Sequence, residues 1–158
     1  LFVEIVTAEL GIPIRSTWST TFRRRDLEHG FEPDASFYIQ HEARIRGQRE
    51  VDLLVDPPPD LVLEMEYSRS AIDKLSIFAS MGVPEVWRCD GEHVTIHLLA
   101  DGRYRDSSSS ACLPMVTSEA ISRFLAASRT MLSPAWFKAV SEWAGTQRTA
   151  PPGNATTR

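Results

Sequence analysis

Asp34, Asp60, Glu64, Glu66 and Lys74 are the residues of this chain whose types and spacing could do chemistry together. Glu64 and Glu66 fall in Leu61-Val62-Leu63-Glu64-Met65-Glu66, an apolar run that follows Pro57-Pro58-Pro59. Successive prolines continue neither a helix nor a central strand, so the run after them reads as a short buried strand. Charged groups are almost never fully buried unless they are paired or hold a cation, which makes Glu64 the residue to explain. Positions 60, 62, 64 and 66 of an extended strand share one face at about 3.3 Å per residue. Glu64 and Glu66 are then about 7 Å apart at the backbone, near enough for their carboxylates to converge. Asp60 lies about 13 Å from Glu64, too far to hold the same ion directly unless the strand bends or begins only at Leu61. A second acid must come from a neighbouring strand. Asp34 is the preferred partner: it stands in Glu32-Pro33-Asp34, at the entrance to the apolar run Ala35 to Ile39, where the proline stiffens the approach.

These are the parts of a metal-dependent phosphodiesterase. Hard carboxylate oxygens suit Mg²⁺ or Mn²⁺, a metal-bound water is a better nucleophile, and the ion neutralises charge on the scissile phosphate. A lysine adds a mobile positive charge near that phosphate or the attacking water. From spacing alone, solvated charges or a structural ion pair are the more common explanation of the same residues.

The elements that must position these groups can be read in order. Leu1 to Leu10 shows helical spacing and stops at Gly11 and Pro13. Ile14 to Phe22 reads as a strand, followed by Arg23-Arg24-Arg25, a run that fits phosphate contact or a solvated face. Residues 41 to 49 read as a surface connection, and Val51 to Val55 as a brief strand pairing. Ala71 to Met81 is an amphipathic helix with Ser70 and Asp73 as its N-cap arrangement and Gly82 and Pro84 at its end. Because it starts directly beyond the acidic strand, Lys74 in its first turns can reach back toward the carboxylates. Val83 to Arg88 returns as a strand, and His93 to Leu99 alternates as the second arm of a hairpin, with Val94, Ile96 and Leu98 inward and His93 and His97 facing solvent. The two histidines, about 13 Å apart on that face, cannot share a metal. Trp87 reads as core, and Arg88 either touches a phosphate or pairs with an acid. Ser107 to Ser110 reads as a loop, and Ser118 to Ala127 and the segment opened by Pro134 as helices.

The 158 residues are expected to form a single domain over 1–145 with a disordered tail over 146–158, and the chain, opening on Leu1 inside an apolar pattern, to lack residues upstream. With 42% hydrophobic residues it can fill a core. A formal charge of −4 gives no overall attraction to a polyanion, so nucleic-acid contact must come from a local patch. Cys89 and Cys112 lack CxxC spacing and fit reduced thiols of a cytoplasmic protein, and no run approaches a membrane span.

Three blocks carry a resemblance: Glu32 to Gln40, Asp56-Pro57-Pro58-Pro59-Asp60-Leu61-Val62-Leu63-Glu64, and Gly82-Val83-Pro84-Glu85-Val86-Trp87-Arg88. In order and separation they resemble the putative restriction endonuclease (Uma) family of the PD-(D/E)XK nuclease superfamily, over about Leu1 to Leu125. The resemblance implies an α/β fold, a mixed sheet with an αβββαβ core flanked by helices, a divalent metal site and a DNA phosphodiester substrate. Residue by residue, Asp34 resembles the motif aspartate, Glu64 the acid of the (D/E)XK element, and Asp60 the family's second Pro-Asp. Glu66 stands where the superfamily motif has lysine, and Lys74 looks like its migrated substitute; the site implied has Asp34 and Glu64 holding Mg²⁺, Glu66 or Asp60 assisting through water, and Lys74 supporting attack. The superfamily's dimers suggest a homodimer. Two other readings compete: a catalytically silent nuclease-fold module that binds DNA or regulates, and an interaction domain docking through its Trp-bearing last helix.

Overall fold

The computed structural model describes residues 1–17, 32–66 and 74–148. Its elements run α1 (Phe2–Leu10), β1 (Arg15–Ser16), β2 (Ala35–Tyr38), α2 (Glu42–Ile45), β3 (Leu61–Met65), α3 (Lys74–Ser80), β4 (Glu85–Cys89), β5 (Val94–Ala100), β6 (Arg103–Ser107), α4 (Ser118–Ser128) and α5 (Ser133–Gln147). The strands form one mixed sheet in chain order, with β3 and β4 parallel and every other neighbouring pair antiparallel. α1, β1, β2, β3, α3 and β4 follow the expected αβββαβ order, and the one-turn α2 sits within it.

Local chemistry sets the boundaries. α1 ends at Gly11, whose φ of 68° lies in the left-handed region that a residue without Cβ adopts freely. The β5–β6 hairpin turns through Asp101 and Gly102 at φ 51° and 74°, the positive pair that a two-residue turn matched to strand twist requires. Thr117 caps α4 by accepting a hydrogen bond from the amide of Ala120.

The sheet is covered on both faces. Phe37, Leu61, Trp87 and Ile96 pack toward α1, α4 and α5. Phe2, Phe124 and Trp143 join those three helices, with ring centroids 5.4–5.9 Å apart, pairs each worth about 0.5–1.5 kcal/mol beyond burial. On the other face Tyr38, Val62 and Val86 meet Ile45 of α2 and Phe78 of α3. The two clusters alternate along β3, so Leu61 and Leu63 face one side while Asp60, Val62 and Glu64 face the other.

Several expectations are corrected. Val51 to Val55 is a turn, not a strand: Asp52 accepts from the Leu54 amide, and Asp56 accepts from the Asp52 amide, so local bonds take the groups a ladder would need. The surface connection over 41–49 contains α2, whose Ile45 is buried, and the Arg15 guanidinium donates to the carbonyls of Ile45 at its end and of Gln48 beyond it. Ser107 belongs to β6 rather than to a loop. His97 does not face solvent; it is buried beside Tyr104, with Nδ1 2.8 Å from Asp106 Oδ1. The expected domain end at 145 falls inside α5, which continues to Gln147 with buried Ala144 packed in the core. The outer part of the Ile14–Phe22 strand, the arginines at 23–25, the Ser70/Asp73 cap and residues 149–158 lie outside the described residues.

Candidate active site

Glu64 stands one residue from the end of β3, on the face toward α3. Its side chain is 6% exposed, and among the described residues neither carboxylate oxygen accepts a backbone or neutral side-chain hydrogen bond. Its one partner among the described residues is the Lys74 ammonium, an ion pair to Oε1. Lys74 opens the described part of α3 and is 45% exposed, so its stem reaches inward from a wet position.

Asp34 precedes β2. The register pairs Ala35 with Leu63, so one further step sets Asp34 opposite Glu64. Its Oδ2 accepts from the Met65 amide at 2.7 Å, which ties the carboxylate to the residue after Glu64 and leaves Oδ1 outside that bond. Asp34, Glu64 and Lys74 are therefore gathered at one end of β3, from three elements.

Asp60 is not brought to this group. It sits at the opposite end of the strand, 2% exposed, and accepts from the amides of Ile39 (2.7 Å) and His41 (3.0 Å) while Oδ1 meets His41 Nδ1 at 2.5 Å. Its oxygens hold the turn after β2. Glu66 lies just past β3, where its amide bonds to the Cys89 carbonyl and its Oε2 meets Arg88 Nη2 at 2.5 Å. Its carboxylate is turned to β4 and serves Arg88.

No group of three or more His, Cys, Asp and Glu side chains forms a metal cage among the described residues. The candidate donors are the two carboxylates of Asp34 and Glu64. That number suits Mg²⁺, which usually keeps several waters and binds through one or two carboxylates. The observation by which the site fits a hard cation is the buried Glu64 carboxylate, whose compensation among the described residues is the Lys74 ammonium at Oε1, with Oε2 taking no hydrogen bond there.

Other charged groups were not legible as a set. Glu85 is fully buried and accepts from Trp87 Nε1 (2.5 Å) and from the amides of Ala111 (2.9 Å) and Cys112 (3.0 Å), bonding β4 to a distant loop. Burial, then the Glu85 charge, pushes the Cys112 thiol well above its ordinary range, so this cysteine is a protonated core group. Arg88, in register with Glu64 across β3–β4 and expected either to touch a phosphate or to pair with an acid, pairs with Glu66.

No helix among the described residues is long and apolar enough to cross a membrane. A search of the curated proteins finds no match. Among solved structures, the chain is similar to that of a putative nuclease belonging to DUF820 from Anabaena variabilis ATCC 29413, at 16% sequence identity, over 90% of this chain and 76% of that chain, with a TM-score of 0.45. Residues 3–127 match the Uma2 family, described as putative restriction endonuclease. With most of its length and all of β2, β3 and α3 inside that match, the chain belongs to the Uma2 family.

Proposed function

We propose that this protein is a divalent-metal-dependent endonuclease that hydrolyses DNA phosphodiester bonds, with Asp34 and Glu64 as the metal-holding carboxylates and Lys74 as the cation beside them. The observation that carries the reading is the state of Glu64: a carboxylate inside a strand, closed off from water, whose one partner among the described residues is an ammonium from the next helix. Such a group is costly unless it meets positive charge.

Mg²⁺ or Mn²⁺ bound there would supply a more acidic water and neutralise charge on the phosphate. The protein's own residues do the rest. Asp34 and Glu64 present hard oxygens from adjacent strands, and the Met65 amide fixes how Asp34 is turned. Lys74 sits within reach of the same space and donates hydrogen bonds to a non-bridging phosphate oxygen, stabilising negative charge that grows as the P–O bond breaks. Glu66, paired with Arg88, does not leave an uncompensated negative charge in the substrate's path. Asp60 takes no part in the chemistry and holds the backbone at the far end of the strand.

The test is incubation of the protein with supercoiled plasmid DNA and Mg²⁺ or Mn²⁺. Nicking or linearisation that disappears in Glu64→Ala supports the reading, and cleavage that survives the substitution removes this site from the mechanism.

A second reading, a catalytically silent nuclease-fold module that binds DNA or regulates, is favoured by the same ion pair, because the Lys74 ammonium already compensates Glu64 without a metal. It predicts DNA binding that is indifferent to Mg²⁺ and to Glu64→Ala.

A further inference from the structure

The polar row on this face of the sheet extends past Glu64. The residue in register with Glu64 on β4 is Arg88, and the residue in register with Arg88 on β5 is Thr95. Cross-strand partners share a face at a spacing of about 4.8 Å, so Glu64, Arg88 and Thr95 follow one another across three strands. Arg88 and Thr95, with Glu66, His97 and Asp106, line an open pocket of about 220 Å³.

A guanidinium has five N–H donors in a rigid fork, and the bond from Nη2 to Glu66 fixes its plane while occupying one of them. The other acids lining the pocket, Asp90 and Asp106, have hydrogen-bond partners of their own and do not engage Arg88. Asp90 Oδ1 accepts from the amides of Glu92 (2.8 Å) and His93 (2.7 Å), and Asp106 Oδ1 meets His97 Nδ1 at 2.8 Å. Arg88 is 33% exposed, so its remaining donors can reach an incoming anion, and Thr95 beside it is exposed.

We propose that Arg88, oriented by Glu66 and flanked by Thr95, anchors the DNA phosphate next to the one being cut. Arg88 is thus a substrate-positioning residue, one strand away from the carboxylate that holds the metal. The proposal rests on the nuclease reading and goes further, naming the path of the substrate strand across β3, β4 and β5. Glu66 acquires a purpose it lacks as a metal ligand: it sets the plane of the guanidinium.

Cleavage of a fluorescein-labelled DNA duplex with Mg²⁺ is compared for wild type, Arg88→Ala and Arg88→Lys, with binding followed against salt concentration. Arg88→Ala is expected to raise KM about tenfold with kcat within about twofold, and to lower the slope of log K against log salt by about one. Arg88→Lys should recover the salt slope and only part of the KM, because a point charge lacks the fork. Glu66 is partly exposed and is left solvated in Arg88→Ala, so the unfolding midpoint should stay close to that of wild type. Unchanged KM and salt slope in Arg88→Ala overturn the proposal, as does a loss confined to kcat. Wild-type cleavage in the same assay separates the two levels: its absence removes the nuclease reading and the proposal with it, whereas wild-type cleavage with an unaltered variant removes only the role of Arg88.

Discussion

The Lys74 ammonium meets Oε1 of Glu64, joining the described start of α3 to the end of β3. The pair is asymmetric: the acid is closed off and the base half in water. Lys74→Met should therefore leave a buried carboxylate without compensation. The expected cost is about 1–3 kcal/mol, below that of a fully buried pair because Lys74 gives up less solvation. Urea unfolding of Lys74→Met, Glu64→Gln and the double variant measures it, and the double variant should be more stable than the sum of the singles implies. Strict additivity would mean that the two side chains do not interact.

Asp60→Ala separates a structural acid from a functional one. It removes the acceptor for the Ile39 and His41 amides and should cost about 2–3 kcal/mol by leaving buried donors unpaired. Metal affinity of the folded variant should match wild type. A folded Asp60→Ala protein that no longer binds Mg²⁺ would return this acid to the site.

His97 sets a pH dependence with a definite sign. Burial, reinforced by the nearby Arg88 charge, holds its imidazole below the ordinary range, and the Asp106 carboxylate opposes them without prevailing. The unfolded chain then takes up this proton more readily than the folded one. The stability associated with neutral His97 is present above about pH 6.5 and is lost as pH falls through the lower folded value. His97→Gln should narrow the difference between urea midpoints at pH 7.5 and pH 5, and an unchanged difference would assign the acid sensitivity to other groups.

Much of this was legible because the signals were local. The three prolines isolate β3, Gly11 ends α1, and a helix beginning directly after an acidic strand puts Lys74 near Glu64. Asp34 was legible as the partner because Asp60 is too far along its own strand. What escaped depended on contacts distant in sequence. Periodicity placed His97 opposite Val94 and Ile96 but could not show that the side chains of β6 cover that face. The amides that consume Asp60 belong to the turn after β2, and those that consume Glu85 to a loop some 26 residues away. Residue type and spacing identify an acid without saying whether backbone donors have already claimed it. Val51 to Val55 failed for a related reason, since Asp52 and Asp56 close the segment into a turn.

The central claim is that Asp34 and Glu64 together hold one divalent cation, and calorimetric titration of Mg²⁺ into the protein tests it without relying on turnover. Wild type is expected to show one carboxylate-dependent site, weakened at least about tenfold in Asp34→Asn and lost in Glu64→Ala while both variants remain folded. Wild-type protein that takes up no Mg²⁺, or Glu64→Ala protein that binds it as wild type does, would contradict the account.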